Sequence, residues 1–232
     1  MATVYLIPSL LSEEGLDAIP PNLLDAIKSC GVFFVENERT TRRYFKQLWK
    51  NMVIDEYEWV NMSDDSKVSD QFKKSLGGEK NIGIISEAGC PGVADPGQKL
   101  IAIAQEMNVK VKPLVGPNSI LLALMASGMN GQHFQFLGYL PIDNPQRIKV
   151  IKELETESTR KKCTQIFIET PYRNNQLIEA LLKNCNHTTK LCIAVDITGK
   201  NEWIKTMTIA DWQKNKSDIH KRPAIFLLQA NH

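Results

Sequence analysis

Short, β-rich apolar runs alternate along this chain with stretches whose apolar residues recur at helical spacing, and that alternation restricts it to an α/β architecture. Val4–Pro8 reads as the first strand and Val32–Glu36 as the second. Ile82–Ser86 reads as a buried strand, followed by Val109–Leu114, Phe134–Leu140, Thr164–Glu169, Lys190–Val195 and Ala224–Gln229. Between them, residues 22–30 place Leu23, Leu24 and Ile27 on one face behind Pro21. Thr40–Lys50 buries Tyr44, Phe45 and Leu48, leaving Arg42, Arg43 and Lys46 as a basic face open to phosphate or to solvent. Helices are also expected at Ser119–Ser127, residues 146–158 and Asn174–Asn184. Asp95-Pro96 is expected to open another, with Asp as cap and Pro at the first helical position. Val115-Gly116-Pro117-Asn118 reads as a hinge, dividing the chain into α/β domains at 1–115 and 116–232.

Other classes fall away on composition. No apolar run approaches the roughly 18 residues that span a bilayer. The first residues lack a basic, cleavable leader, so no membrane partner is expected. Five cysteines form no CxxC pair, which suits reduced thiols and a cytoplasmic location. Four scattered histidines offer no metal-ligand spacing, and no metal is expected. Charge is unevenly spread: residues 1–142 carry 13 Lys and Arg against 16 Asp and Glu, while residues 143–232 carry 15 against 10. A basic second half suits a polyanionic partner, although a solvated surface would carry the same charges.

The segment Ile84–Gly97, IISEAGCPGVADPG, follows a buried strand and precedes a helix, the place where open α/β sheets put ligand clefts. Its glycines permit close backbone approach and its prolines stiffen the loop. It is neither GxGxxG nor a P-loop, so these residues alone indicate a cleft for a small polar ligand or an ordinary strand-to-helix turn.

The same segment resembles the SDAGTPGISDPG signature of the ribosomal RNA small subunit methyltransferase I family, within the tetrapyrrole-methylase superfamily. The resemblance runs in order along almost the whole chain. Val35–Arg39 is similar to A-E-D-T-R, Pro113–Ser119 to P-x-P-G-P-S/C, Phe134–Pro141 to F-x-F-x-G-F-L-P, and Ile168–Arg173 to Y-E-S/A-P/T-H-R. Departures fall at polar positions: Asn37 and Glu87 replace Asp, Tyr172 replaces His, and Ala194–Lys200 lacks the family's Arg.

The resemblance implies a two-domain tetrapyrrole-methylase-like fold that holds S-adenosylmethionine in a cleft between domains, with RNA as acceptor and a homodimeric assembly. It implies a donor site at Pro8, Glu87, Ala88, Gly89, Cys90, Ser119, Ile120 and Ala224. For methylation of a ribose 2′-hydroxyl a general base is needed, and the carboxylates that could serve are Glu36, Asp95, Glu169 and Asp196. Glu36 with Arg39 is the preferred catalytic pair, and Arg173 is a further phosphate or carboxylate anchor. A tetrapyrrole or other small acceptor, or S-adenosylmethionine binding without catalysis, are the competing expectations.

Overall fold

A computed structural model describes residues 2–62, 65–215 and 217–230. The chain forms two compact units, residues 1–118 and 119–232.

The first unit runs β1 (Thr3–Ile7), α1 (Leu23–Ser29), β2 (Cys30–Val35), α2 (Glu38–Leu48), β3 (Glu58–Asn61), α3 (Asp65–Leu76), β4 (Asn81–Ile85), α4 (Gln98–Glu106) and β5 (Lys110–Pro113). Its strands are all parallel, in the order β3-β2-β4-β1-β5. A parallel sheet must be covered on both faces, and the period-two alternation of its side chains divides the core accordingly. Phe33, Val35, Ile7 and Ile85 pack with Leu23, Ile27, Tyr44 and Phe45 of α1 and α2. Val32, Phe34, Ile82 and Ile84 pack on the opposite face with Val68, Phe72, Leu100 and Ala104 of α3 and α4.

This division positions the loops. The chain leaves β1 and β2 toward the face covered by α1 and α2, but leaves β4, which lies between them, toward the other face. Neighbouring strands whose connections diverge in this way open a crevice at their carboxyl ends. Pro8-Ser9, Glu36-Asn37 and Ser86–Cys90 line those ends.

The second unit contains α5 (Ser119–Ser127), β6 (Phe134–Tyr139), α6 (Asn144–Lys161), β7 (Thr164–Ile168), α7 (Asn174–Asn184), β8 (Lys190–Val195), β9 (Trp203–Thr208), α8 (Ile209–Lys214) and β10 (Ala224–Gln229). Its sheet is mixed, in the order β6-β7-β10-β8-β9; only β6 and β7 pair in parallel. Ile151 and Leu154 of α6, Leu177 and Leu181 of α7, and Trp212 of α8 share one core with Phe167, Ile193 and Phe226.

One expectation is corrected. The helix expected to open at Asp95-Pro96 opens at Gln98 behind Gly97, whose φ is 109°. Residues 90–97 first close on themselves through Val93 N–H to Cys90 O (3.2 Å) and Gly92 N–H to Pro96 O (3.1 Å), so Asp95 lies in the loop and does not cap the helix. On the basic face of α2, Arg42 pairs with Glu38 and lies over the Trp59 ring, Arg43 pairs with Glu13, and Lys46 donates to Lys50 O. Strand β3 and helix α3 on one side, and β9 and α8 on the other, were not expected from the apolar pattern.

Gly83 is closely enclosed in the first core. A Cβ there would stand 2.6 Å from Phe33 Cδ1 and 2.8 Å from Ile7 Cδ1. Gly83→Ala is expected to lower stability by about 1–3 kcal/mol through overpacking. Gly131→Ala, where an added Cβ meets nothing within 4 Å, should stay within about 0.5 kcal/mol of the parent. Urea denaturation midpoints of the two variants check the contrast.

Candidate functional site

The carboxyl ends of β1, β2 and β4 are joined by a small set of hydrogen bonds. Glu36, one residue beyond β2, accepts from Glu87 N–H through Oε2 at 2.7 Å. Its own N–H donates to Ile85 O at 3.2 Å. Asn37 caps α2, accepting at Oδ1 from Arg39 N–H (3.1 Å) and Thr40 N–H (3.2 Å). The same side chain donates through Nδ2 to Glu87 Oε1 at 3.4 Å. From the other side, Ser9 N–H donates to Gly89 O at 2.8 Å. The loop after β4 is thus held by both neighbouring strands.

The amide groups of Ala88 and Cys90 donate to no backbone acceptor among the described residues. Gly89, between them, has φ 68°, which swings consecutive peptide groups toward one side. Further along, Ala94 holds φ 61°, a conformation costly for a residue with a Cβ. The Cys90 thiol donates to Pro117 O at 3.5 Å, tying the loop to the segment that ends the first unit. Burial pushes that thiol up from its ordinary value. Pro8 is buried against Gly116, where an added Cβ would stand 2.2 Å from Pro8 Cβ. The Pro8 carbonyl accepts from Tyr44 Oη at 3.1 Å.

Two cavities flank the loop. One of about 230 Å³ is lined by Ser9, Thr40, Arg43, Tyr44, Glu87 and Ala88. The other, of about 260 Å³, is lined by Met62, Ser69, Asp95, Pro96, Lys99 and Leu100. Burial, with the Glu36 charge behind it, pushes the Asp95 carboxyl up to about 6. A carboxylate there can release and take up a proton close to neutrality, as a general base must.

The residues proposed from the sequence therefore divide by unit. Pro8, Glu36, Glu87, Ala88, Gly89, Cys90 and Asp95 gather at one end of the first sheet, and Arg39 stands exposed in the first turn of α2. Ser119 and Ile120 open α5, which packs on β10, the strand that begins with Ala224. Glu169 and Asp196 are ion-paired, to Arg173 (2.7 Å) and Arg222 (2.7 Å) respectively. The bridging role of Asn37 was not read from the sequence, although Asn before Glu-Arg-Thr-Thr is a legible helix-cap signal. Among the described residues no cluster of His, Cys, Asp and Glu could hold a metal ion, and no helix is long and apolar enough to cross a membrane.

If the Glu36 charge contributes to the state of Asp95, Glu36→Gln should lower the Asp95 titration midpoint from about 6 without returning it to the ordinary value, because burial is the larger cause. Carbon-13 NMR of the Asp95 carboxyl against pH measures this. An unchanged midpoint would show that the two groups do not interact.

The profile of the family described as Tetrapyrrole (Corrin/Porphyrin) Methylases matches residues 14–213. The chain is 28% identical over 229 residues to the ribosomal RNA small subunit methyltransferase I of Buchnera aphidicola subsp. Schizaphis graminum, covering 97% of this chain and 77% of that protein. It is 28% identical over 208 residues to the protein of that name from Vibrio cholerae, covering 90% and 69%. Among solved structures, the methyltransferase CobJ superposes with a TM-score of 0.61 at 16% identity, over 99% of this chain and 93% of that one. Uroporphyrin-III C-methyl transferase from Thermus thermophilus, complexed with S-adenyl homocysteine, does so with 0.56 at 14%, over 98% and 97%.

Proposed function

The chain belongs to the tetrapyrrole methylase family, and on that premise we propose that it transfers the methyl group of S-adenosylmethionine to a ribose 2′-hydroxyl of ribosomal RNA. That it is an S-adenosylmethionine-dependent methyltransferase follows from the family. RNA as the acceptor is supported by relatives named for ribosomal RNA that cover nearly the whole chain. The observation that carries the chemistry is the Glu36–Asp95 pair beside a loop with free amide groups.

The residues present fit a charged nucleoside donor. Free N–H groups at Ala88 and Cys90 can bind its oxygen or ring-nitrogen acceptors, and the exposed Glu87 carboxylate can accept from hydroxyl or amino groups. On the second unit, Ser119 and Ile120 begin a nine-residue helix whose amino end favours a carboxylate. Bound S-adenosylmethionine supplies a methyl group made electrophilic by its sulfonium charge.

The chain's own contribution is orientation and proton removal. Glu36 holds the Glu87 peptide with one carboxylate oxygen while its charge raises Asp95. Asp95, poised near neutrality, takes up the hydroxyl proton. Arg39, exposed and without an ion pair among the described residues, anchors a phosphate of the acceptor.

Calorimetric titration should show S-adenosylmethionine binding that weakens severalfold in Glu87→Ala and Ser119→Ala. In a tritium-methyl transfer assay on small-subunit ribosomal RNA, kcat/KM should rise with pH through about 6, because the base must be ionised. Asp95→Asn should lower it by 10²-fold or more and flatten that rise. Transfer to a corrinoid precursor with none to RNA would replace this acceptor, and Asp95→Asn with full activity would remove the proposed base.

A further inference from the structure

Beyond the ends of β6 and β7, the second unit exposes aromatic rings among cations. Tyr172 is 67% exposed and Tyr139 61%, though both are large enough to be buried wherever a core would take them. Tyr139 ends β6 opposite Ile168, within electrostatic range of the Arg173 guanidinium. Tyr172 has two neighbours: the His220 ring meets it edge-on at 6.1 Å, and Lys221 Nζ lies over its ring, 5.9 Å from the centroid. Lys221 reaches this place at a backbone cost, with φ 61°, and its N–H is pinned to Pro171 O at 3.0 Å.

The nearby acids are hydrogen-bonded within this cluster. Glu169 receives Arg173 through Nε (3.0 Å) and Nη2 (2.7 Å). Asp218 accepts from Asn175 Nδ2 (2.8 Å) and from the His220 N–H (3.0 Å). The surface left over is two rings bordered by Lys221 and His220, with Arg173 already paired to Glu169.

An exposed ring with a flexible cation over one face is an arrangement on which an unpaired base can stack while the cation meets the adjacent phosphate. A duplex keeps its bases stacked on each other and offers such a ring nothing. We propose that Tyr172, supported by His220 and Lys221 and extended by Tyr139, is a stacking platform for single-stranded RNA. This rests on the reading of RNA as the acceptor, and it gives the substrate a secondary structure: the segment engaged by the second unit is unpaired.

Fluorescence anisotropy with a labelled single-stranded RNA dodecamer of mixed sequence, and with the same strand annealed to its complement, tests it. The single strand should bind more tightly than the duplex. Tyr172→Ala should weaken the single strand by about tenfold and the duplex hardly at all, while Tyr172→Phe keeps affinity within about twofold. Lys221→Gln should reduce the slope of log affinity against log salt by about 0.7. S-adenosylmethionine affinity, unchanged in Tyr172→Ala, confirms that the variant is folded. Parent protein that binds the single strand with Tyr172→Ala equally tight would overturn the platform and leave RNA as acceptor. Parent protein that binds neither form would overturn both.

Discussion

The amino-terminal unit is organised by one constraint, that β4 sits between β1 and β2 yet sends its chain to the opposite face of the sheet. A central parallel strand has both faces buried, so Ile82, Ile84 and Ile85 are fully enclosed and Gly83 leaves room for Phe33 and Ile7. Once the layers are packed, the loop after β4 has to leave between two connections that turn the other way. Glu36 and Asn37 meet it from β2, and Ser9 from β1.

The loop is held with some internal opposition. Ala94 sits at positive φ, and Asp95 is half-buried near the like charge of Glu36. Both features are unfavourable in isolation and persist because the surrounding contacts determine the loop's path. A carboxylate displaced to about 6 makes a useless surface charge and a serviceable base. Glu169 and Asp196, the other carboxylates of matching chemistry, carry guanidinium partners.

The second unit solves a different problem with a mixed sheet. Its core is closed by Trp212, Phe167 and Phe226 with α6 and α7, and buried Glu155 steadies the turn after α7 by accepting from Asn186 N–H at 2.8 Å and from Asn186 Nδ2 at 3.0 Å. With that core complete, exposed Tyr139 and Tyr172 belong to the surface by construction. The basic bias of the second half appears there locally, as a few cations arranged around rings.

Much of this was legible in the sequence. The buried strands and the helices Ser119–Ser127 and Asn174–Asn184 were read from apolar periodicity, because a side chain's burial is a local signal repeated along the element. The loop Glu87–Cys90 was legible from its small residues and from a resemblance spanning the chain. Edge strands β3 and β9 were not, since half-exposed residues blur the alternation that identifies a strand. Asp95-Pro96 carried a sound cap signal, yet the helix began at Gln98 because hydrogen bonds within the loop took precedence over local preference. Which carboxylate would be displaced, which would be paired, and which tyrosines would face water were decided by tertiary structure alone. Proton affinity and exposure depend on neighbours distant in sequence, Glu36 for Asp95 and His220 with Lys221 for Tyr172, and only folding brings them together.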